Sequence, residues 1–266
     1  MIPAGFVTAW SAQAPWPSPA QVEQDLLLSR VLIEIYQDDY LRDELVFRGG
    51  TCLHKLHLPI PRRYSEDLDF VRTTSSGIAP LTKAVTALGE RLGFEVSTRI
   101  SQHPKIYLRT TAADGTTLRI KHHTADQGGD QHPRALTSPA LISIPHAVDS
   151  PWWSGQADIR TFTAAELVST KIRALFQRKK GRDLFDLWLA LTELNLNPGD
   201  IIDAYPTYAP PGLTAKRAVA DLKAKVLDPA FRTDMTPLID PWPSDYDIDI
   251  AGHLVNDLLL SKIPRA

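Results

Sequence analysis

Cysteine is almost missing. Cys52 is the only one in 266 residues, which excludes an internal disulfide framework and fits a reducing compartment. Long apolar runs are missing too: no stretch reaches the roughly 18 to 20 residues needed to cross a bilayer. The N-terminus has no basic segment leading into an apolar one, so a signal peptide is not expected and a cytoplasmic address without membrane contact is. Charge of one sign is not in excess. At a net −2, any nucleic acid would have to be met by a local basic patch. No repeat or low-complexity tract occurs, nor a Walker A loop, a GxGxxG fingerprint or a nucleophile elbow. The histidines, among them His103, His122, His123, His132 and His146, follow no metal-ligand spacing, which sets zinc aside.

What is present is a globular composition, 43% hydrophobic and 23% charged, long enough for one large domain or two. Residues 1 to about 19 read as an irregular arm. Helical spacing runs from Pro19 to Asp38 or Asp39, and again from Thr82 to Leu92 with Gly93 as its stop. Phe94–Ile100, Lys105–Thr111 and Thr116–His122 read as strands, the last two joined by a turn at Ala113-Asp114-Gly115. A polar loop over 125–138, a short strand over 138–144 and a Pro/Trp connector over 145–155 follow. From Phe162 the pattern turns helical. Thr163 and Glu166 have capping-box spacing, with Phe162 and Leu167 as a hydrophobic staple. Helices are expected to Arg178, over Arg182–Leu194, over Ala215–Leu227 and over Ile250–Leu260. A boundary is placed near residue 155: 1–155 as an α/β core with an N-terminal arm and helix, 156–266 as a helical domain.

One stretch, LVFRGGTCLHKLHLPIPRRYSEDLDF (45–70), organises the chain. Its apolar start reads as a strand, and Gly49-Gly50-Thr51 as a turn into a helix whose backbone N–H groups could hold phosphate oxygens or be purely structural. Asp67 and Asp69 then share one face of a strand, roughly 7 Å apart, with Leu68 and Phe70 on the other. An isolated acid pair of this kind is often a solvated face. Here Arg48, Arg62, Arg63 and Ser65 flank it, and carboxylates among cations suit a nucleoside triphosphate with Mg²⁺. Farther on, Lys171 falls inside the apolar stripe Leu167, Val168, Ile172, Leu175, Phe176, where it either snorkels outward or faces a cleft and a phosphate. Asp183 and Asp186 share a helix face three residues apart. Arg178, Lys179, Lys180 and Arg182 form the densest positive run, a solvated loop or an RNA contact.

Together, FRGGTCLHKL…RRYSEDLDF and ELVSTKIRALFQRKKGRDLFDLW resemble the AbiEii/AbiGii-type toxin nucleotidyltransferases, a group that includes MenT-like toxins. The resemblance rests on residues 45–70 and 166–188. It implies an α/β (α+β) fold, a polymerase β-like nucleotidyltransferase core with a mostly helical C-terminal half. It further implies transfer of nucleotides from NTP, with Mg²⁺ or Mn²⁺, onto the 3′ end of tRNA, and a separately encoded antitoxin as partner. By position, Gly49, Gly50 and Thr51 resemble the phosphate-holding motif, and Ser65, Asp67 and Asp69 the S-x-D-x-D metal motif. Lys171 and Asp186, with Asp183 nearby, match the later Lys…RDxxD motif. Two departures stand out. The strand expected to bring a third acid reads Leu118-Arg119-Ile120-Lys121-His122, and the spacer from Gly50 to Asp67 is long.

The resulting expectation is a tRNA-modifying nucleotidyltransferase working between its two domains. Asp67, Asp69, Lys171 and Asp186 would be catalytic, and Asp67 and Asp69 the metal ligands. Gly49, Gly50, Thr51, Arg63, Ser65 and Asp183 would serve the nucleotide, and 178–182 the RNA. Asp67→Ala or Lys171→Ala would cost rate with little loss of fold. The alternatives are the same chemistry on a small molecule or a protein side chain, or a nucleotide-binding module without turnover.

Overall fold

The structure is a computed structural model that describes residues 2–74, 76–99, 105–110, 117–123 and 141–264. It divides into two compact units, Met1–Phe162 and Thr163–Ala266. Residue 155 lies inside a strand of the first unit, and the division comes where that strand ends.

In the first unit, α1 (Ala4–Trp10), α2 (Pro19–Gln37) and α3 (Asp39–Glu44) lead into β1 (Leu45–Arg48). The short α4 (Gly49–Cys52) widens into a π turn over Leu53–His57. After it come β2 (Asp67–Arg72), α5 (Ala79–Arg91), β3 (Phe94–Arg99), β4 (Lys105–Thr110), β5 (Thr117–His123), β6 (Leu141–Asp149) and β7 (Ser154–Phe162). The strands form one mixed sheet in the order β3-β4-β5-β2-β1-β7-β6. β1 lies between antiparallel β2 and parallel β7, and β2 is parallel to β5. Central β1 is apolar from Leu45 to Phe47 because both its faces are covered. β2 alternates instead, burying Leu68 and Phe70 and leaving Asp67 and Asp69 partly exposed. This strand is the scaffold of the acid pair.

α2 packs on the sheet and is buried on most of its surface, from Val22 to Tyr36. Ser18 and Gln21 close its start reciprocally: Ser18 Oγ accepts from Gln21 N at 3.3 Å, and Gln21 Oε1 accepts from Ser18 N at 3.0 Å. Near its other end the Tyr36 hydroxyl accepts from Phe47 N at 3.0 Å and lies 2.8 Å from the Arg160 carbonyl, stitching β1 to β7.

Two expectations change here. The N-terminal arm contains a helix, α1, whose Trp10 Nε1 donates to Asp25 Oδ1 at 3.0 Å. The expected connector over 145–155 belongs instead to a hairpin, with β6 paired residue for residue against β7. Pro145 is tolerated because β6 is an edge of the described sheet, the position to which strand prolines are mostly confined. The expected turn at 113–115 and loop at 125–138 lie outside the described residues.

In the second unit, α6 (Ala164–Gln177) and α7 (Gly181–Thr192) pack together, followed by α8 (Pro198–Ala204), α9 (Ala215–Val226), α10 (Pro229–Arg232) and α11 (Ile248–Leu258). Only half of the expected capping box forms at α6. Thr163 Oγ1 accepts from Glu166 N, whereas the Glu166 carboxylate accepts from Tyr208 Oη at 2.5 Å. α7 is anchored by aromatic packing, with Tyr246 meeting Phe185 edge-on at 4.8 Å and Trp188 at 5.0 Å. No helix among the described residues is long and apolar enough to cross a membrane.

Candidate active site

In the first unit, the glycine turn and the acid strand are one piece of structure. Arg48 pairs with Asp69 across β1 and β2, and the chain then turns sharply at Gly49, whose φ is +87°. A Cβ there would lie 2.7 Å from Asp69 Oδ2, so both backbone angle and space demand glycine. At Gly50 a Cβ would lie 2.6 Å from Arg63 Nη2 and 3.4 Å from Ser65 Oγ. The Thr51 hydroxyl is 2.8 Å from Ser65 Oγ and 2.5 Å from the Asp67 carbonyl, tying the helix start to the strand. Arg63 is buried and donates to the Tyr64 carbonyl at 3.1 Å. Gly49, Gly50, Thr51, Arg63, Ser65, Asp67 and Asp69 are thus gathered around one turn.

The acids meet two cations from β5. In the parallel register Asp67 stands opposite Arg119, and Asp69 opposite Lys121. Arg119 Nε lies 2.7 Å from Asp67 Oδ1 and its Nη2 reaches Glu66, while Lys121 Nζ contacts Asp67 Oδ2 and sits 4.0 Å from Asp69 Oδ1. Sequence reasoning noted Lys121 as the residue in place of an acid but assigned neither it nor Arg119 a part. The period-2 pattern of β5 was enough to put both on one face; the parallel register with β2 was not legible.

Among the described residues, no three His, Cys, Asp or Glu side chains gather where they could hold a metal ion. Asp67 and Asp69 offer oxygen donors on one strand face. That fits a magnesium ion, which keeps several of its own waters or phosphate oxygens and takes one or two carboxylates.

The second unit holds the other expected residues in a buried cluster. Lys171 on α6 does not snorkel: its side chain is 5% exposed, and Nζ lies 2.7 Å from Asp186 Oδ2 and 3.6 Å from Asp183 Oδ1. Asp183 is also clamped by Arg178, from Nε at 2.6 Å and Nη2 at 2.7 Å. Both aspartates are fully buried on α7. Burial, then the Asp186 charge, holds the neighbouring Tyr246 phenol far above its ordinary range. The remaining cations of the basic run are paired as well: Lys179 with Asp228, and Lys180 with Asp234 at 3.0 Å. Arg182 approaches Asp234 through its backbone N at 3.3 Å.

A family model for the nucleotidyl transferase AbiEii toxin of type IV toxin–antitoxin systems matches residues 30–248. The chain belongs to this family. AbiEii membership makes it a nucleotidyltransferase toxin and implies a separate antitoxin partner. Nucleotidyltransferases of this kind generally use NTP and divalent metals. Among solved structures it is similar to MenT4, a nucleotidyltransferase toxin from Mycobacterium tuberculosis H37Rv. Identity is 16%, the match covers 99% of this chain and 91% of MenT4, and the TM-score is 0.62, so the two share a fold. An antigenic nucleotidyltransferase-like protein from Paracoccidioides brasiliensis is 17% identical over 80% of this chain and 93% of its own; its TM-score of 0.39 carries no argument. None of the curated proteins compared matches the chain. The mixed α/β sheet with a helical second unit is the nucleotidyltransferase architecture that the AbiEii motifs imply.

Proposed function

We propose that this AbiEii-family chain transfers nucleotides from NTP to the 3′ end of tRNA in the cytoplasm, blocking translation until its antitoxin intervenes. The observation that carries this reading is the fusion of turn and acid strand: Gly49 lies directly under Asp69, and Thr51 is laced to Ser65 and Asp67. A turn able to approach phosphates closely and a pair of carboxylates are thereby fixed against each other before any substrate arrives.

Asp67 and Asp69 would hold Mg²⁺ or Mn²⁺. The bound ion supplies charge neutralisation at the α-phosphate and on the departing pyrophosphate. The backbone from Gly49 to Thr51, with Arg63 and Ser65, positions the triphosphate. The terminal tRNA hydroxyl oxygen forms the new bond to the α-phosphorus as the bond to pyrophosphate breaks and the hydroxyl proton passes to solvent. In the second unit the sealed Lys171, Asp183 and Asp186 hold α6 and α7 together with Arg178 on Asp183, and the more exposed Lys179, Lys180 and Arg182 meet the RNA backbone by exchanging their carboxylate partners.

Labelled NTP incubated with purified tRNA tests the reading. The wild-type chain should label tRNA, and Asp67→Ala should lower the rate by roughly a thousandfold. Its fold should persist, because Arg119 keeps Glu66 and both β5 cations are partly exposed. Transfer by Asp67→Ala at the wild-type rate would end the proposal. A second reading, transfer to a small molecule or protein side chain, is favoured by the pairing of the basic run with Asp183, Asp228 and Asp234. Adding cell lysate to the same assay distinguishes the two by which pool becomes labelled.

A further inference from the structure

Lys121 sits where a cation held by the acid pair would sit. It stands opposite Asp69 in register, its ammonium lies against Asp67 Oδ2 and 4.0 Å from Asp69 Oδ1, and its side chain is 24% exposed. Arg119 Nε lies 2.7 Å from the other oxygen of Asp67 as an ion pair without hydrogen-bond geometry, so that buried oxygen accepts no hydrogen bond among the described residues. The two carboxylates are therefore matched by two fixed positive charges from the neighbouring strand. A free divalent ion arriving at this face meets charge of its own sign, and Asp67 Oδ2 is already hydrogen-bonded to Lys121; both effects weaken its binding. A triphosphate-bound ion is different. The phosphates bring negative charge that can draw the partly exposed ammonium off Asp67 while the ion takes the vacated oxygen.

We propose that Lys121 is a resident cation of the Asp67–Asp69 pair: it stands in for a protein-bound divalent ion, so the chain accepts one divalent ion, delivered as a nucleoside triphosphate complex, rather than a preloaded metal. The proposal rests on the reading of Asp67 and Asp69 as the ion-holding pair. It makes Lys121 a gate against bare metal.

Mn²⁺ binding without nucleotide, followed by the paramagnetic resonance of the free ion, tests it apart from any transfer activity. Wild-type protein should bind Mn²⁺ weakly. Lys121→Gln should bind it at least tenfold more tightly, and Lys121→Gln combined with Asp67→Asn should lose that gain. A second measurement needs no variant: wild-type protein passed through gel filtration with a non-hydrolysable triphosphate analogue and Mn²⁺ should retain one ion per chain. Equal affinity in wild type and Lys121→Gln, or two ions retained per chain with the analogue, would overturn the inference. If Lys121→Gln gains Mn²⁺ affinity but no triphosphate analogue binds, the nucleotide reading fails and the resident cation stands.

Discussion

The two charged clusters solve the same electrostatic problem in opposite ways. On β2 of the first unit, Asp67 and Asp69 keep 15% and 26% of their side chains exposed, and their partners Arg119 and Lys121 are reachable from solvent. In the second unit Asp183, Asp186 and Lys171 are all but sealed. An exposed set can trade partners when a ligand arrives, because water screens each separation. A sealed set cannot, because an ion that loses its partner there stays buried and unpaired. The first cluster is built to exchange ions and the second to hold a geometry.

That contrast separates the largest expected effects. Whereas Asp67→Ala should remove activity and spare the fold, Asp186→Ala should damage the fold itself, by about 3 to 5 kcal/mol, since Lys171 would keep only the more distant Asp183. Urea denaturation measures it. A double change, Asp186→Leu with Lys171→Met, should recover most of the loss, because an apolar pair of similar volume has no charge to strand. If Asp186→Ala proves as stable as wild type, the cluster is not sealed in solution. The same burial revises the sequence-based expectation that Lys171→Ala would leave the fold almost untouched.

The sequence made the first cluster easier to read than the second unit's packing, for physical reasons. Gly49-Gly50, Asp67 and Asp69 are local signals: a turn and a period-2 strand declare their geometry within a few residues. The capping box at Glu166 was only half right because its carboxylate had a distant competitor, Tyr208, which no local pattern shows. The β6–β7 hairpin was missed because Pro145 breaks strand propensity, and only sheet position reveals that an edge tolerates it. The Ser18–Gln21 box, by contrast, was local and could have been found. Register between β2 and β5, which brings Lys121 to the acids, joins residues 52 apart and left no trace in either strand alone.

Acid should also expose the difference between the units. Burial pushes the His57 and His146 imidazoles, both in the first unit, down to about 4. As pH falls, the unfolded chain takes up these protons near 6.5 and the folded chain only near 4. Stability is thus full above about 6.5, declines between the two values, and levels off below, by at most roughly 3 kcal/mol per imidazole. His57→Phe should flatten that decline in urea midpoints measured from pH 7 to 4; an unchanged slope would remove His57 as its source. Gly49→Ala comes next, at about 2 kcal/mol, from left-handed strain plus contact with Asp69. It should be accompanied by loss of transfer, because displacing Asp69 opens the acid pair.

The smallest effect is expected in the basic run, and its smallness is what makes it informative. Lys180 pairs with Asp234 at 3.0 Å, but its side chain is 45% exposed, so water and salt already screen most of the attraction. Asp234 also accepts from the Arg182 backbone N and therefore does not lose its only partner when Lys180 is removed. Lys180→Ala should therefore change stability by well under ~1 kcal/mol. If the run meets RNA by trading carboxylates for phosphates, the same variant should weaken tRNA binding several-fold and lower its salt dependence by about one charge. A stability loss comparable to Asp186→Ala would place Lys180 with the sealed cluster instead. An unchanged salt slope would assign the run to intramolecular pairing and move RNA recognition to another surface.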